Sequence, residues 1–363
     1  MTESVTYPRE RLAIGRLLLL PFILVALPVT ASTAALCETS FRGKTITMLV
    51  GSQAGSGTDA TGRAVARVLG KYLPGTPTVV VQNMPGANGV TAMNYFMLRT
   101  KPDGLTVFMG SNSIVDPLTY RRANAQYDPT TIRMVGGIGR GGTLVFISRE
   151  AEKRLTDKSA APVMIGNQGA LPNPGMMPVL WGIEYLGWNA KWIVGYPGAN
   201  EIMVALDRGE IDLSSTSNIF LVEERMKAGS LDALFQSGSV ENGKIVGRAE
   251  FGNTPIFNDL IKGKITDPVE QEAFDYWWAL NSLDKWIGLA SGTPDEILGL
   301  YRAAFDKFMA DDEFIDLGKK ISGGFGAETA SDAEALTRTL AGTSQEALTS
   351  LANLMRKQGL QAQ

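Results

Sequence analysis

Thr45-Ile46-Thr47-Met48-Leu49-Val50-Gly51-Ser52-Gln53-Ala54-Gly55-Ser56-Gly57-Thr58-Asp59 is the stretch on which the fold turns. Its first six residues are apolar or β-branched and predict a strand. Gly51 to Thr58 is a run of small residues and predicts a loop. Beyond it, Ala64, Val65, Val68, Leu69 and Tyr72 recur at helical spacing, so a helix is predicted from about 59 to 73 with Thr58 or Asp59 as its cap. Amide N–H groups at a helix N-terminus lack intrahelical acceptors and point outward, where the helix dipole favours an anion. Glycine and serine let the backbone approach a ligand closely. Every α/β protein has such turns, so this loop alone leaves a binding role and a purely structural one equally open.

Working outward, the pattern repeats. Thr78–Val81 predicts a second strand, 89–99 a helix, and Leu105–Met109 a third strand ending in Gly110-Ser111-Asn112-Ser113. A β-α-β-α-β order implies a largely parallel sheet with helices on its faces. The pattern restarts at Val163–Ile165, followed by Gly166-Asn167-Gln168-Gly169, a helix over 176–186, a strand over 191–194, a helix over 201–208 and a strand over 210–213. Two such sets predict two similar α/β lobes. Between them, 134–149 carries glycines at 136, 137, 139, 141 and 142 and reads as a hinge. The C-terminal third predicts two long amphipathic helices, over 294–309 and 333–357.

The chain's 363 residues suit two domains. A net charge of −3 with no basic stripe gives nucleic acid no electrostatic footprint. There is no histidine, which removes the usual general base and the commonest transition-metal ligand. Cys37 is the only cysteine, which excludes an internal disulfide and zinc–cysteine sites. Arg9, Arg11 and Arg16 precede an apolar run, Leu17–Leu27, and a small-residue stretch, Thr30 to Ala35. This is the layout of a cleaved export signal over 1–35, with an uncleaved anchor as the competing reading. Cys37 stands near the cleavage point, but Leu36 before it departs from a lipidation box; a free thiol in an N-terminal tail is the simpler reading.

Nucleotide motifs fail. Gly43-Lys44-Thr45 precedes its strand instead of following it, and Gly55-Ser56-Gly57 lacks a third glycine because position 60 is Ala. No cofactor or metal motif is present. A serine nucleophile among Ser52, Ser56, Ser111, Ser113, Ser214, Ser215 or Ser217 would need a lysine or carboxylate as its base, and no G-x-S-x-G elbow occurs. Hydroxyls that hydrogen-bond a ligand are the simpler reading. Phe274, Tyr276, Trp277, Trp278 and Trp286 could stack on an aromatic ligand or fill a core.

Several segments together resemble the periplasmic solute-binding proteins of tripartite tricarboxylate transporters, the Bug family. Members read I-x-x-x-V-P-F-x-A-G-G-x-x-D where this chain has Ile46 to Asp59, and V-V-V-E-N-x-P-G-A-x-G where it has Val79-Val80-Val81-Gln82-Asn83-Met84-Pro85-Gly86-Ala87-Asn88-Gly89. Pro102-Asp103-Gly104-Leu105-Thr106, Gly110-Ser111-Asn112, Tyr127-Asp128-Pro129, Tyr196-x-Gly198, Gly209-Glu210-Ile211-Asp212-Leu213, Lys227-Ala228-Gly229-Ser230-Leu231 and Gly292-Thr293-Pro294 follow in family order. The resemblance covers about 44–360. It implies a two-lobed periplasmic-binding-protein (Venus flytrap, type II) fold with two crossover segments. Lobe 1 would hold 44–142 and 279–363, and lobe 2 would hold 143–278. It also implies a non-enzymatic, monomeric protein of the periplasm that binds a small organic mono- or dicarboxylate and delivers it to integral membrane transporter subunits. Carried over residue by residue, the expected ligand-binding set is Ser52, Gln53, Ala54, Gly55, Ser56 and Asp59, then Ser111, Asn112 and Ser113, then Asn167, Gln168, Tyr196 and Thr216. A ligand-loaded sensor that docks on a membrane receptor is the alternative function, and a periplasmic hydrolase a further one.

Three departures bear on the ligand. The Pro-Phe of the family's first loop is Gly51-Ser52, which removes an aromatic wall. The position that is acidic in amino-acid binders falls on Thr216-Ser217, so no ligand ammonium is required. The segment from about 240 to 285 is longer than usual. Arg140, in the glycine-rich crossover, is the candidate partner of a second ligand carboxylate, with a solvated hinge arginine as the competing reading.

Overall fold

Strand β1 (Thr45–Val50) forms where the sequence places it and is buried from Met48 onward. In the computed structural model it lies between β2 (Thr78–Asn83) and β3 (Thr106–Ser111), parallel to both. The described residues are 1–4, 6, 8, 39–139, 141–168, 170–196, 198–241, 244–322 and 324–361. Most of the expected export signal, Cys37 and Arg140 lie outside them. Thr39–Gln363 form one compact unit. Among the described residues no helix is long and apolar enough to cross a membrane.

The first helix, Gly57–Tyr72, packs on the first sheet with Ala64, Val65, Val68 and Leu69 of the predicted stripe and with Thr61, while Tyr72 is only half-buried and donates to Asp311. Past β3 the chain enters β4 (Arg133–Gly139), then β5 (Leu144–Ser148). β5 opens a second sheet, with β6 (Val163–Gln168), β7 (Ala190–Tyr196), β8 (Leu213–Thr216) and β9 (Leu231–Gln236). A short hairpin follows, β10 (Ser239–Glu241) with β11 (Lys244–Val246). The chain then returns to the first sheet through β12 (Lys285–Leu289) and β13 (Gly326–Glu328). The first sheet has the order β13-β4-β12-β3-β1-β2 and the second β7-β6-β8-β5-β9. This is the two-lobed α/β architecture expected from the sequence. Each sheet is mixed: β12 is antiparallel to both β3 and β4, and β5 is antiparallel to both β8 and β9.

Several expectations are corrected. The glycine-rich 134–149 is mostly strand, and the link between the sheets there lies between Gly139 and Leu144. Its glycines answer to crowding: a Cβ on Gly136 would sit 2.6 Å from the Phe305 ring, and one on Gly137 would sit 2.5 Å from the Glu328 carboxyl. The strand expected over 210–213 runs from Leu213 to Thr216. The predicted helix over 294–309 is Asp295–Met309, but the one over 333–357 is two, Ala330–Gly342 and Gln345–Lys357. Ser344 breaks it. Its hydroxyl caps the last helix, and the Glu272 carboxylate accepts from both its N–H (2.8 Å) and its Oγ (2.6 Å).

The last helix also reaches the second lobe. Lys357 Nζ meets Glu184 at 2.6 Å, Gln358 donates to the Leu180 carbonyl at 2.9 Å and accepts from Trp192 Nε1 at 3.0 Å. The helix Pro268–Ser282 runs between the lobes too. Tyr276 donates to Asp116 at 3.0 Å on one side, and Trp277 donates to the Pro174 carbonyl at 2.7 Å on the other. The aromatic run therefore packs: Phe274 and Trp277 lie against Trp181, and Trp286 stacks on Phe108 at 5.5 Å. With Phe274, Tyr276 and Trp286 all under 4% exposed, no aromatic wall for a ligand comes from them.

Candidate functional site

The first loop is fixed by its own polar groups. The helix begins at Gly57, and its cap is Ser56, whose Oγ accepts from Asp59 N at 3.3 Å and meets Ser52 Oγ at 2.7 Å. Neither Thr58 nor Asp59 caps it. Asp59 is 2% exposed and turned inward. Its carboxylate accepts from Gly55 N (2.8 Å), Asn83 Nδ2 (2.8 Å) and Arg63 Nε (3.0 Å). Burial pushes this carboxyl up, but the hydrogen bonds from Arg63, Gly55 and Asn83 outweigh it and hold the group below its ordinary range. Asn83 also donates to the Ser52 carbonyl at 3.1 Å, so the end of β2 pins the loop. The Gly55 amide is spent on Asp59. Gly57 and Thr58, at the first turn of the helix, have N–H groups with no intrahelical acceptor.

Next to this loop, the turn Gly86-Ala87-Asn88-Gly89 has positive φ at all four residues, at 143°, 46°, 57° and 93°. Two of them carry side chains in the left-handed region, a backbone that persists only where its surroundings enforce it. The turn, the first loop and the end of β3 enclose a cavity of about 360 Å³ lined by Ser52, Gln53, Thr58, Ser111 and Ser113, among others. Ser111 and Ser113 hydroxyls pair at 2.8 Å, and Ser113 donates to the Asn88 carbonyl at 3.3 Å.

A second cavity, of about 450 Å³, lies between the two lobes. Asn112, Asn281 and Asp284 face it from the first lobe; Gln168, Asn173 and Thr216 face it from the second. Asn112 lines this cavity while its neighbours Ser111 and Ser113 line the first, so the end of β3 borders both. The structure thus gathers Ser52, Gln53, Ser111 and Ser113 at one cavity and Asn112, Gln168 and Thr216 at the other. Ala54, Gly55, Ser56 and Asp59 form the frame of the first loop and stand outside both linings. Asn167 is 1% exposed. It bonds the carbonyls of Gln168 (2.6 Å) and Leu171 (2.7 Å) and the amide of Asn173 (3.2 Å), so it shapes the loop that presents Asn173. Tyr196 is half-buried against the second sheet's core, where burial raises its hydroxyl above the ordinary value. A larger cavity of about 600 Å³ lies on the far side of the first lobe. There Arg302 bonds the Met134 carbonyl and Glu334, and Arg133 bonds Asp295, so those charges are matched by one another.

Asn173, Asn281 and Asp284 were not among the residues expected at a site. The expectation rested on the C-terminal ends of parallel strands. β12 runs the other way, so its first residue, Lys285, pairs with Ser111 at the end of β3 and brings Asn281 to Asp284 to the same crevice. Lys285 Nζ meets Asp284 at 2.8 Å, a compensated pair at the cleft floor. Among the described residues, no group of three or more His, Cys, Asp or Glu is placed to hold a metal.

No protein-family model matches the chain. A UPF0065 protein of Bordetella bronchiseptica is 37% identical over 107 residues, which is 29% of this chain and 30% of that protein, so the chain matches under a third of that relative's length. A solved TctC solute-binding protein from Polaromonas is 19% identical, with 88% of this chain and all of that one covered at a TM-score of 0.64. An R. palustris protein solved with adipate is 18% identical, with 87% and 97% covered at a TM-score of 0.51. The chain thus has the fold of the TctC-type solute-binding proteins, and the family resemblance carried by its motifs is borne out.

Proposed function

We propose that this protein captures a small organic carboxylate in the cleft between its lobes and passes it to the membrane subunits of a tripartite tricarboxylate-type transporter. The observation that carries this reading is the interlobe cavity, lined mainly by uncharged hydrogen-bonding side chains with Asp284 paired to Lys285, together with the cavity beside the first loop, where Thr58 in the first turn of the helix has an N–H with no intrahelical acceptor. Such a lining binds an anion by oriented donors. The adipate in the R. palustris neighbour is of the same chemical class. The proposed contacts are Ser52, Gln53, Ser111, Asn112 and Ser113 from lobe 1 and Gln168 and Thr216 from lobe 2, with Asp59 and Asn167 holding the loops. Arg140 remains the proposed partner for a second carboxylate. Lobe 1 is proposed as 44–142 with 279–363 and lobe 2 as 143–278, with the helix Pro268–Ser282 as a strut between them. Export through the segment 1–35 to the periplasm, action as a monomer and the absence of catalysis complete the reading.

A thermal-shift panel of organic acids tests it. Binding to the folded state raises the melting temperature by mass action. Carboxylates that stabilise the protein and are recovered unchanged support capture. Conversion of a stabilising compound to product supports the hydrolase instead, and a panel in which nothing stabilises contradicts the reading.

A further inference from the structure

At the base of the cleft is a third, small cavity of about 60 Å³, lined by Gly139, Gly141, Ser239, Ser282 and Glu328, among others. It shares Gly141, Asn281 and Asp284 with the interlobe cavity and is a side chamber of it. The chamber is built around one carboxyl. Glu328 sits on the edge strand β13, opposite Gly137 of β4, and its side chain lies across Gly137 and Gly139. A Cβ on either glycine would come within 2.5 Å or 2.9 Å of a carboxyl oxygen, so both positions leave the space that the group fills.

Two polar atoms here are buried with no hydrogen-bond partner, Glu328 Oε2 and Ser282 Oγ. Their residues are 4% and 7% exposed. Buried polar atoms are nearly always satisfied, by protein, by water or by a ligand, since each one left unmade is costly. Two unsatisfied atoms on one small chamber, opening beside a ligand cleft, mark a place for one hydrogen-bonding group.

The charge of the chamber narrows what that group is. Asp284 is already met by Lys285. Burial first, then the neighbouring carboxylates of Asp284 and Asp332, push the Glu328 carboxyl well above its ordinary value, which favours its uncharged form. Asp332 itself accepts from the hydroxyl of Thr329. An ionised carboxylate placed in the chamber would face Asp284, and an ammonium would be desolvated with no unmatched anion to meet it. An uncharged hydroxyl has both a donor and an acceptor to offer these orphan atoms.

We propose that this chamber is the specificity end of the cleft and receives a hydroxyl of the ligand on Ser282 and Glu328, so that hydroxycarboxylates are preferred over plain ones. The proposal rests on the carboxylate reading given above. Calorimetry of the exported chain with three series tests it: unbranched monocarboxylates, the matching ω-hydroxy acids and the matching ω-amino acids. At one chain length the hydroxy acid should bind about tenfold more tightly than its plain counterpart, the value of one well-made hydrogen bond. That preference should disappear in Ser282→Ala and Glu328→Ala and persist in Glu328→Gln, an uncharged side chain of the same shape. Ser282→Ala, the smaller change, keeps the test readable if Glu328→Ala does not fold. If plain and hydroxy acids bind equally at every length, or the amino acids bind best, the chamber proposal fails while carboxylate capture stands. If none of the three series binds, the carboxylate reading fails and takes the proposal with it.

Discussion

Asp59, expected to cap a helix or touch a ligand, does not cap the helix and stands outside both cavity linings. At the residue scale, its buried carboxylate holds the Gly55 amide, Asn83 and Arg63 together, which fixes the loop ahead of the helix. Replacement by Ala leaves the Gly55 and Asn83 donors without their acceptor. We expect Asp59→Ala to lower unfolding free energy by about 1–3 kcal/mol in urea titrations and to weaken carboxylate binding as well. An equally stable variant would show that the network is dispensable. Glu328 makes a pH-dependent prediction. Its folded-state value lies above the ordinary 4.5, so above that point the unfolded chain loses this proton while the folded one keeps it. This group's contribution to stability therefore falls as pH rises from the ordinary carboxyl range towards its raised folded value. Glu328→Gln has no such proton. Its urea midpoint should gain on the unaltered protein as pH rises above the ordinary carboxyl range, and a difference that stays constant with pH would contradict the assignment.

Elements show which parts of the fold were legible. The strand–loop–helix at 45–72 was plain because the change from an apolar run to a helical stripe happens within a few residues, on either side of small ones. The hinge reading of 134–149 narrows to the short link between Gly139 and Leu144, because glycine has two uses. It frees a backbone, and it also makes room for a bulky neighbour; Phe305 and the Glu328 carboxyl, both remote in sequence, decide which applies here. The long terminal helix was missed as two because apolar spacing continues across Ser344, and only Glu272 shows that the chain turns there. The residues of the cleft floor were missed because the direction of β12 is a fact of topology: nothing in Asn281 to Lys285 states that its strand runs antiparallel beside β3. The same pairing yields a test. A Cβ on Gly110 would fall 2.1 Å from the Trp286 ring, on a strand that cannot move aside. Gly110→Ala should cost about 3 kcal/mol, read as a lower denaturation midpoint, and should disturb binding through Ser111 and Asn112. A neutral result would mean that β3 and β12 are less tightly registered than their contacts indicate.

For the whole molecule, the lobes are joined by more than two thin crossovers. The helix Pro268–Ser282 touches both, and the final helix ties the first sheet's helices to Glu184, Leu180 and Trp192 of the second lobe. Gln358 supplies two of those bonds. Gln358→Ala should speed amide exchange in 345–357 and lower stability by about 1–2 kcal/mol, whereas Lys357→Ala, which removes one exposed ion pair, should change it by less than about 1 kcal/mol. Lobes braced in this way move only as far as the brace allows, which suits a cleft whose chemistry is a fixed set of donors. The central claim is that those donors hold a carboxylate. Isothermal titration of the ligand-free protein with small mono- and dicarboxylates tests this most directly. The account predicts saturable one-to-one binding of at least one of them with a dissociation constant below about 10 μM. Affinities weaker than about 1 mM for every carboxylate tried would contradict it.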